Sequence, residues 1–419
     1  MSSLKTSCRI YASMRKFLYQ MFFVMLITLA KPVFANFAYV TNNGDSSVSV
    51  IDTTSNTIIA TIPVGSSPEG IAITPNGSFA YVANSFDDTV SVIDMSTNKV
   101  KATVSVTNHP VAIAITPDDN FAYVADINGA EVTVIKTSIN TVTNTFLVLA
   151  KPAGIAFTAD GNFYLVPDNF ANQVFMFLTG TMTMETVFNV GSRPYGITLT
   201  PNGEFAYVAN NFSNSVSVID VNARMVVDTI SVGSGPREIA FTPSGDFAYV
   251  TNNGGTTVSV INTSTKAVST INVGGGPTGV AITPDGIAYV ANTGDNTVSV
   301  IDTKTNTVIK TISGFNSPFG IAITPTLIMP PANLKAQQKR NNFGIVYELF
   351  NRLQWQANPS STSVAGYNVY RNGIKIATLN DSTFQYEDHD IKKGSTTLYG
   401  VSAFNAQGIE SALTMIEIK

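Results

Sequence analysis

The chain has 419 residues, 44% of them apolar and only 12% charged, against roughly 25% charged in an average soluble domain. Lys and Arg number 24 against 28 Asp and Glu, a formal −4, so no basic field exists to hold nucleic acid. Two histidines (His109 and His389) and one cysteine (Cys8) exclude a His- or Cys-built metal site, haem attachment and a disulfide framework, and no cofactor is expected.

Residues 1–35 read as a secretory leader. Lys5, Arg9, Arg15 and Lys16 make a basic head, Phe17 to Ala30 is almost wholly apolar, and Val33-Phe34-Ala35 fits a small-residue cleavage site. The rival reading is a retained anchor, but the apolar run is shorter than the ~20 residues a bilayer requires. Cleavage removes those four bases, Lys31 and Cys8 but no acid, which leaves 19 bases against 28 acids, a formal −9. The expectation is a secreted or extracytoplasmic protein, periplasmic or at the cell surface, without disulfides and with no membrane insertion after leader removal.

From residue 37 one unit recurs. Phe37-Ala38-Tyr39-Val40 returns at Phe79, Phe121, Phe205 and Phe247, as Ile287-Ala288-Tyr289-Val290, and in weaker form as Phe163-Tyr164-Leu165-Val166. Seven units cover 37–325, and within each the apolar pattern has period two. Val48-Ser49-Val50-Ile51 and Thr57 to Ile62 flank a turn-rich spacer and predict a hairpin; Gly70-Ile71-Ala72-Ile73 and the turn Thr74-Pro75-Asn76-Gly77 follow. Four strands of about five residues and four turns make one β-propeller blade. The first unit lacks the Gly-Ile-Ala-Ile strand that Gly320 to Ile323 supplies at the far end. The fold class expected is therefore all-β: a seven-bladed propeller over 36–325, closed by its C-terminal inner strand.

Tyr39-Val40-Thr41-Asn42 and Tyr249-Val250-Thr251-Asn252, with the Tyr-Val-Ala-Asn variants at Tyr81, Tyr207 and Tyr289, resemble the YVTN repeat of surface-layer-type seven-bladed propellers. The resemblance implies an extracytoplasmic propeller of the kind found in surface and binding proteins, and says little about activity. Unit four departs furthest, with Leu165, Pro167 and Phe175-Met176-Phe177 at framework positions; it is either a degenerate blade or one whose exposed apolar residues meet a partner.

Pro330-Pro331 marks a stiff linker over 326–331. Beyond it, Leu353-Gln354-Trp355, Gly366 to Arg371 and Thr397 to Ala403 alternate as half-buried strands, and Arg371-Asn372-Gly373 reads as a hairpin turn. This tail, 332–419, resembles a fibronectin type III domain. The resemblance makes Trp355, Tyr367 and Tyr399 core aromatics of a small β-sandwich, with Lys339 to Phe350 as an unusually long connection between its first two strands.

Comparison among the units locates candidate sites. Asn42, Asn84, Asn210, Asn252 and Asn292 recur and are expected to bond their own turns; Asp52, Asp94, Asp220 and Asp302 are expected to cap hairpin turns rather than ligate metal. The variable positions flank the proline that opens each inner strand: Ser67, His109, Lys151, Arg193, Gly235, Gly276 and Ser317 before it, Glu69, Val111, Ala153, Tyr195, Arg237, Thr278 and Phe319 after it. His109, Lys151, Arg193 and Arg237 predict a cationic arc at one mouth of the channel, with Tyr195 and Phe319 as apolar platforms and Glu238 facing Glu69. Such a mouth would grip an anionic or polyhydroxyl group. The function expected is non-covalent attachment to a protein or carbohydrate at a cell or matrix surface. The alternative is an extracytoplasmic lactonase- or lyase-like propeller enzyme, although no catalytic set is visible beside His109.

Overall fold

The computed structural model describes residues 36–419 apart from 149–150, 326–329, 344–345, 359–363, 392–395, 405–409, 412 and 419. The leader expected over 1–35 lies outside the described residues. Every regular element among them is a β-strand, as the period-two pattern requires. Residues 35–325 form one compact unit, and 326–419 belong to another.

The first unit is built of four-stranded antiparallel sheets, the architecture of a β-propeller. The first sheet runs Pro318–Ile323, Phe37–Asn42, Ser47–Asp52, Thr57–Pro63. The second to seventh sheets are continuous in sequence and open with Pro68–Ile73, Pro110–Ile115, Ala156–Phe157, Pro194–Leu199, Pro236–Phe241 and Pro277–Ile282. In the first sheet Ala38 pairs with Ile323 and Val40 with Ile321, while the Phe37 amide donates to Thr324 Oγ1 at 2.9 Å.

Both faces of each sheet are covered, so the core is spread between sheets. Tyr39 packs with Ala80, Val82 and Ile93 of the second sheet, whereas Ala38 and Val40 point the other way, against Tyr289, Val298 and Val300 of the seventh. A large side chain on one side and small ones on the other let sheets stack wedge-like. Toward the inner strands the space narrows further: a Cβ on Gly70 would stand 2.7 Å from the Val111 carbonyl oxygen, and one on Gly320 2.4 Å from that of Glu69. Only glycine permits that approach.

Turn chemistry follows the residues. Asp52 Oδ1 accepts from Thr54 N at 2.7 Å, and Asp94, Asp220 and Asp302 cap their turns likewise. Asn42 Nδ2 donates across its turn to Ser47 and Ser49 Oγ, both at 2.9 Å.

The repeated tyrosine ties sheet to sheet at its hydroxyl. Tyr39 donates to Asn98 Oδ1 at 2.6 Å, Tyr81 to Asn140 at 2.7 Å and Tyr289 to Asn56 at 2.5 Å; Tyr249 bonds Asn306, and Lys266 Nζ donates to Tyr207 at 3.0 Å. In the fourth sheet Leu165 replaces that tyrosine, and the neighbouring Tyr164, at the alanine position, has a buried hydroxyl with no partner. Substitution to Phe is therefore expected to change sign with position. Tyr289→Phe should cost about 1 kcal/mol, and Tyr164→Phe should gain a similar amount by deleting an unsatisfied group, as read from urea unfolding midpoints.

The fourth sheet separates the two readings of its departures. Phe175, Met176 and Phe177 are buried, which fits a degenerate blade and not apolar residues exposed to a partner: Tyr164 stacks on Phe177 at 5.2 Å in an aromatic cluster with Tyr123, Phe146 and Phe157. Its inner strand shrinks to Ala156–Phe157, preceded by a single Pro152–Asp168 bridge.

The second unit holds a three-stranded sheet (Ala332–Phe343, Val346–Gln356, Gln385–Asp388) and a four-stranded one (Ile374–Asn380, Gly366–Arg371, Thr397–Phe404, Thr414–Ile418). Leu353, Trp355, Tyr367, Val369, Tyr399 and Val401 form its core. Lys339 to Phe350 is no long connection: Lys339 pairs with Phe350 and Asn341 with Glu348, extending the first hairpin. Asn372 (φ 51°) and Gly373 (φ 81°) make the two-residue turn read from the sequence.

Candidate functional site

The loops leading into the inner strands and the loops after the Phe-Ala-Tyr-Val strands share one face, because Pro68 pairs with Asn84 and Pro194 with Asn210. On this face the prolines separate two environments. Arg237, Thr278 and Phe319, which follow their prolines, line a cavity among the inner strands, whereas Lys151 and Arg193, which precede theirs, are exposed. The expected arc divides accordingly, since His109, Lys151 and Arg193 precede their prolines and Arg237 follows one.

Arg237 lies inside. Its guanidinium stacks 4.2 Å from the Tyr195 ring and 4.5 Å from the Phe319 ring, and Nη2 donates to Tyr195 Oη at 3.1 Å. Tyr195 and Phe319 are thus platforms for Arg237 itself. Glu69 and Glu238 both lie within electrostatic reach of the same guanidinium. Burial pushes the Glu238 carboxyl up to about 7, against the pull of Arg237 and the Ile239 amide. Burial also raises Glu69, opposed by Arg237 and His109, and raises the Tyr195 hydroxyl. These groups reach channel water yet are enclosed by protein, so their charges are poorly solvated. Glu238 takes the place glycine holds in most inner strands; its carboxylate sits over Gly196, where a Cβ would meet Glu238 Oε2 at 2.7 Å. The cavity here measures about 140 Å³ and is lined by Arg237, Glu238, Phe319 and the isoleucines of the inner strands. That is below the roughly 300 Å³ where small-molecule sites begin.

Outside the channel, the residue before the proline sits in the left-handed region: His109 (φ 65°), Arg193 (φ 52°), Ser67 and Ser317, with Gly235 and Gly276 at the same place. His109 N donates to Asp88 Oδ1 at 2.8 Å, Arg193 N to Asn172 Oδ1 at 2.9 Å and Gly235 N to Asn214 Oδ1 at 2.9 Å. Lys151 differs, because Ala130 stands where those acceptors would be and its amide turns to Asp168 Oδ1 at 3.1 Å. A non-glycine residue in this conformation costs about 1 kcal/mol, so His109 and Arg193 are held at a backbone expense that glycine avoids in sister loops.

Three residues missed in the sequence complete this face. Phe86, Phe170 and Phe212 are 78%, 81% and 63% exposed at loop tips where Gly44, Gly254 and Gly294 stand in other sheets. The same unit-to-unit comparison that singled out the proline loops would have found them. Arg193 stacks on Phe212 at 4.2 Å. Between the fourth and fifth sheets, Lys151, Arg193, Phe170 and Phe212 therefore share a sector whose loops carry no acid besides the buried Asp168. Elsewhere the face carries Asp45, Asp87, Asp88, Glu131 and Asp295.

Among solved structures, a Desulfotomaculum acetoxidans DSM 771 protein of unknown function is 23% identical with a TM-score of 0.62, over 70% of this chain and 99% of its own. Hydrazine synthase of Kuenenia stuttgartiensis is 22% identical with a TM-score of 0.59, over 63% of this chain and 92% of its own. A candidate 6-phosphogluconolactonase of Bacteroides uniformis ATCC 8492 is 16% identical with a TM-score of 0.60, over 69% and 99%. At these identities the likeness shows the fold alone. No curated protein matches the sequence. The YNCE-like beta-propeller family model matches residues 20–137 and 131–285, and with its four-stranded sheets and inner glycines the chain belongs to that family.

Proposed function

We propose that this chain is an exported binding protein of a cell or matrix surface. In this reading a leader over 1–35 is removed, the seven sheets act as blades of one closed ring over 36–325, and the linker at 326–331 leads to a fibronectin type III-like sandwich. The face bearing Lys151, Arg193, Phe170 and Phe212 holds a protein or glycan through its carboxylate or sulfate groups. One observation carries the reading: exposed aromatic rings and acid-free cations occupy one sector of the face around a channel that Arg237 fills. Exposed rings of this size are the informative exception on a soluble surface. Arginine on a ring leaves its edge free for a bidentate carboxylate.

The test is affinity recovery from the source's own surface fraction with mature chain and with a Lys151→Glu, Arg193→Glu, Phe170→Ser, Phe212→Ser variant. The native chain should retain one partner at least tenfold better, and salt should weaken that retention. Equal recovery by both would refute the assignment.

A lactonase- or lyase-like reading has one observation in its favour, a carboxyl raised to about 7 beside an arginine. Its test is hydrolysis of a sugar δ-lactone by native protein and Glu238→Gln. The 140 Å³ cavity predicts no turnover by either.

A further inference from the structure

Five of the seven sheet-to-sheet interfaces carry the tyrosine tie, and the two that lack it flank the fourth sheet. Between the third and fourth sheets, Met182 takes the left-handed turn position that Asn56, Asn98, Asn140 and Asn306 hold elsewhere, so no asparagine amide stands there for Tyr123 to bond. Between the fourth and fifth, Leu165 replaces the tyrosine and Arg224 takes the asparagine position, reaching back to Glu185 of the fourth sheet at 3.3 Å. Each of these interfaces keeps a packed core but has a surface cleft beside it. A cleft of about 310 Å³ lies at the second, and one of about 1020 Å³ at the first. The larger opens among Pro117, Asp118 and Gly161, in the turns at the ends of the inner strands opposite the proline loops.

We infer that the cleft between the third and fourth sheets is a binding site for a non-anionic amphipathic small molecule: an apolar ring body carrying an acceptor oxygen. Size comes first, since about 1020 Å³ stands at the top of the range for small-ligand sites and the channel cavity far below it. The walls give the body of the ligand, for Phe121, Val134, Leu178 and Met182 line the cleft. Asn144 gives its head, for its Nδ2 finds only the Met182 sulfur at 3.1 Å, a weak acceptor that a ligand oxygen would displace. Charge excludes an anion: Lys136 offers one cation, but Asp118 and Asp160 lie on the same lining, held ionised by hydrogen bonds from Thr116, Asn120, Thr158 and Asn162.

The experiment uses N-phenyl-1-naphthylamine, a neutral aromatic amine whose fluorescence rises in apolar surroundings, titrated into the full chain. Native protein should give a saturable one-site rise in the micromolar range. Met182→Asn restores the inter-sheet tie; it should weaken the dye at least tenfold while the melting temperature holds or rises. Asn144→Trp, which fills the cleft from its exposed rim, should do the same and decides the matter if Met182→Asn misfolds. Absence of saturable fluorescence in native protein, or equal titrations in native and both variants, would overturn the site.

Discussion

Replacing Arg237 with Met should destabilise the propeller unit by about 3–5 kcal/mol at pH 8 and by much less at pH 5. The guanidinium is the cation facing two enclosed carboxyls, Glu69 and Glu238, and it fills the space between the Tyr195 and Phe319 rings. Removing one partner of a buried charge set leaves the rest uncompensated, which is where a loss of about that size comes from. Methionine keeps much of the volume, so lost packing is the smaller part. The pH dependence identifies the cause. Glu238 has a folded pKa of about 7, above its unfolded value, so the protonated form is favoured on folding. The stability tied to it is complete below the unfolded value and is lost as pH rises through about 7. At pH 5 the carboxyl carries a proton, needs no cation, and the substitution costs little. Urea unfolding at the two pH values measures this, and an equal loss at both would show that the arginine acts only as a spacer.

Asp126→Asn should stabilise the same unit by about 1–3 kcal/mol at pH 8 and change little at pH 4. Asp126 stands where five other sheets place asparagine, fully buried, with Oδ2 accepting from Thr133 at 2.6 Å and Oδ1 unpartnered. Burial raises its pKa to about 6 from the model-peptide 3.8, with Glu131 and Asp88 adding to the rise and Thr133 and Thr107 opposing it. The folded value again exceeds the unfolded one, so the penalty is absent below about 4 and grows as pH climbs through 6. A shift of that size corresponds to about 3 kcal/mol, an upper bound given the flexibility of the reference chain. The amide would donate to Thr133 as Asn84 does to Ser91 at 2.9 Å. Thermal unfolding across pH 4–8 reads the result: the native curve should fall toward alkaline pH and the variant's should fall less. Parallel curves would mean that Asp126 stays protonated or that water reaches it.

Much of the unit was legible because its determinants are local. Alternation in Phe-Ala-Tyr-Val sets which residues are buried, Asp52 and its counterparts cap turns two residues away, and Asn372-Gly373 needs only its own backbone angles. The candidate site was legible only in part. The comparison of proline loops found the positions that vary, but grouped Arg237 with Lys151 and Arg193, because nothing within one loop tells a side chain before the proline from one after it. It also passed over Phe86, Phe170 and Phe212, whose significance is their exposure. Lys339 to Phe350 read as a connection because its polar residues hide a strand pairing that only the opposite strand supplies.

The residues by themselves determined the strand-and-turn rhythm and the glycine of most inner strands, since these depend on side-chain size and on hydrogen bonds closed within a few positions. Tertiary structure alone decided the arginine held between rings from distant repeats, the tyrosine ties from sheet to sheet, and the cleft left where Met182 breaks that series. Each of those joins groups far apart along the chain. Whether a hydroxyl finds an amide or a carboxyl loses its water is settled by what packing brings alongside it.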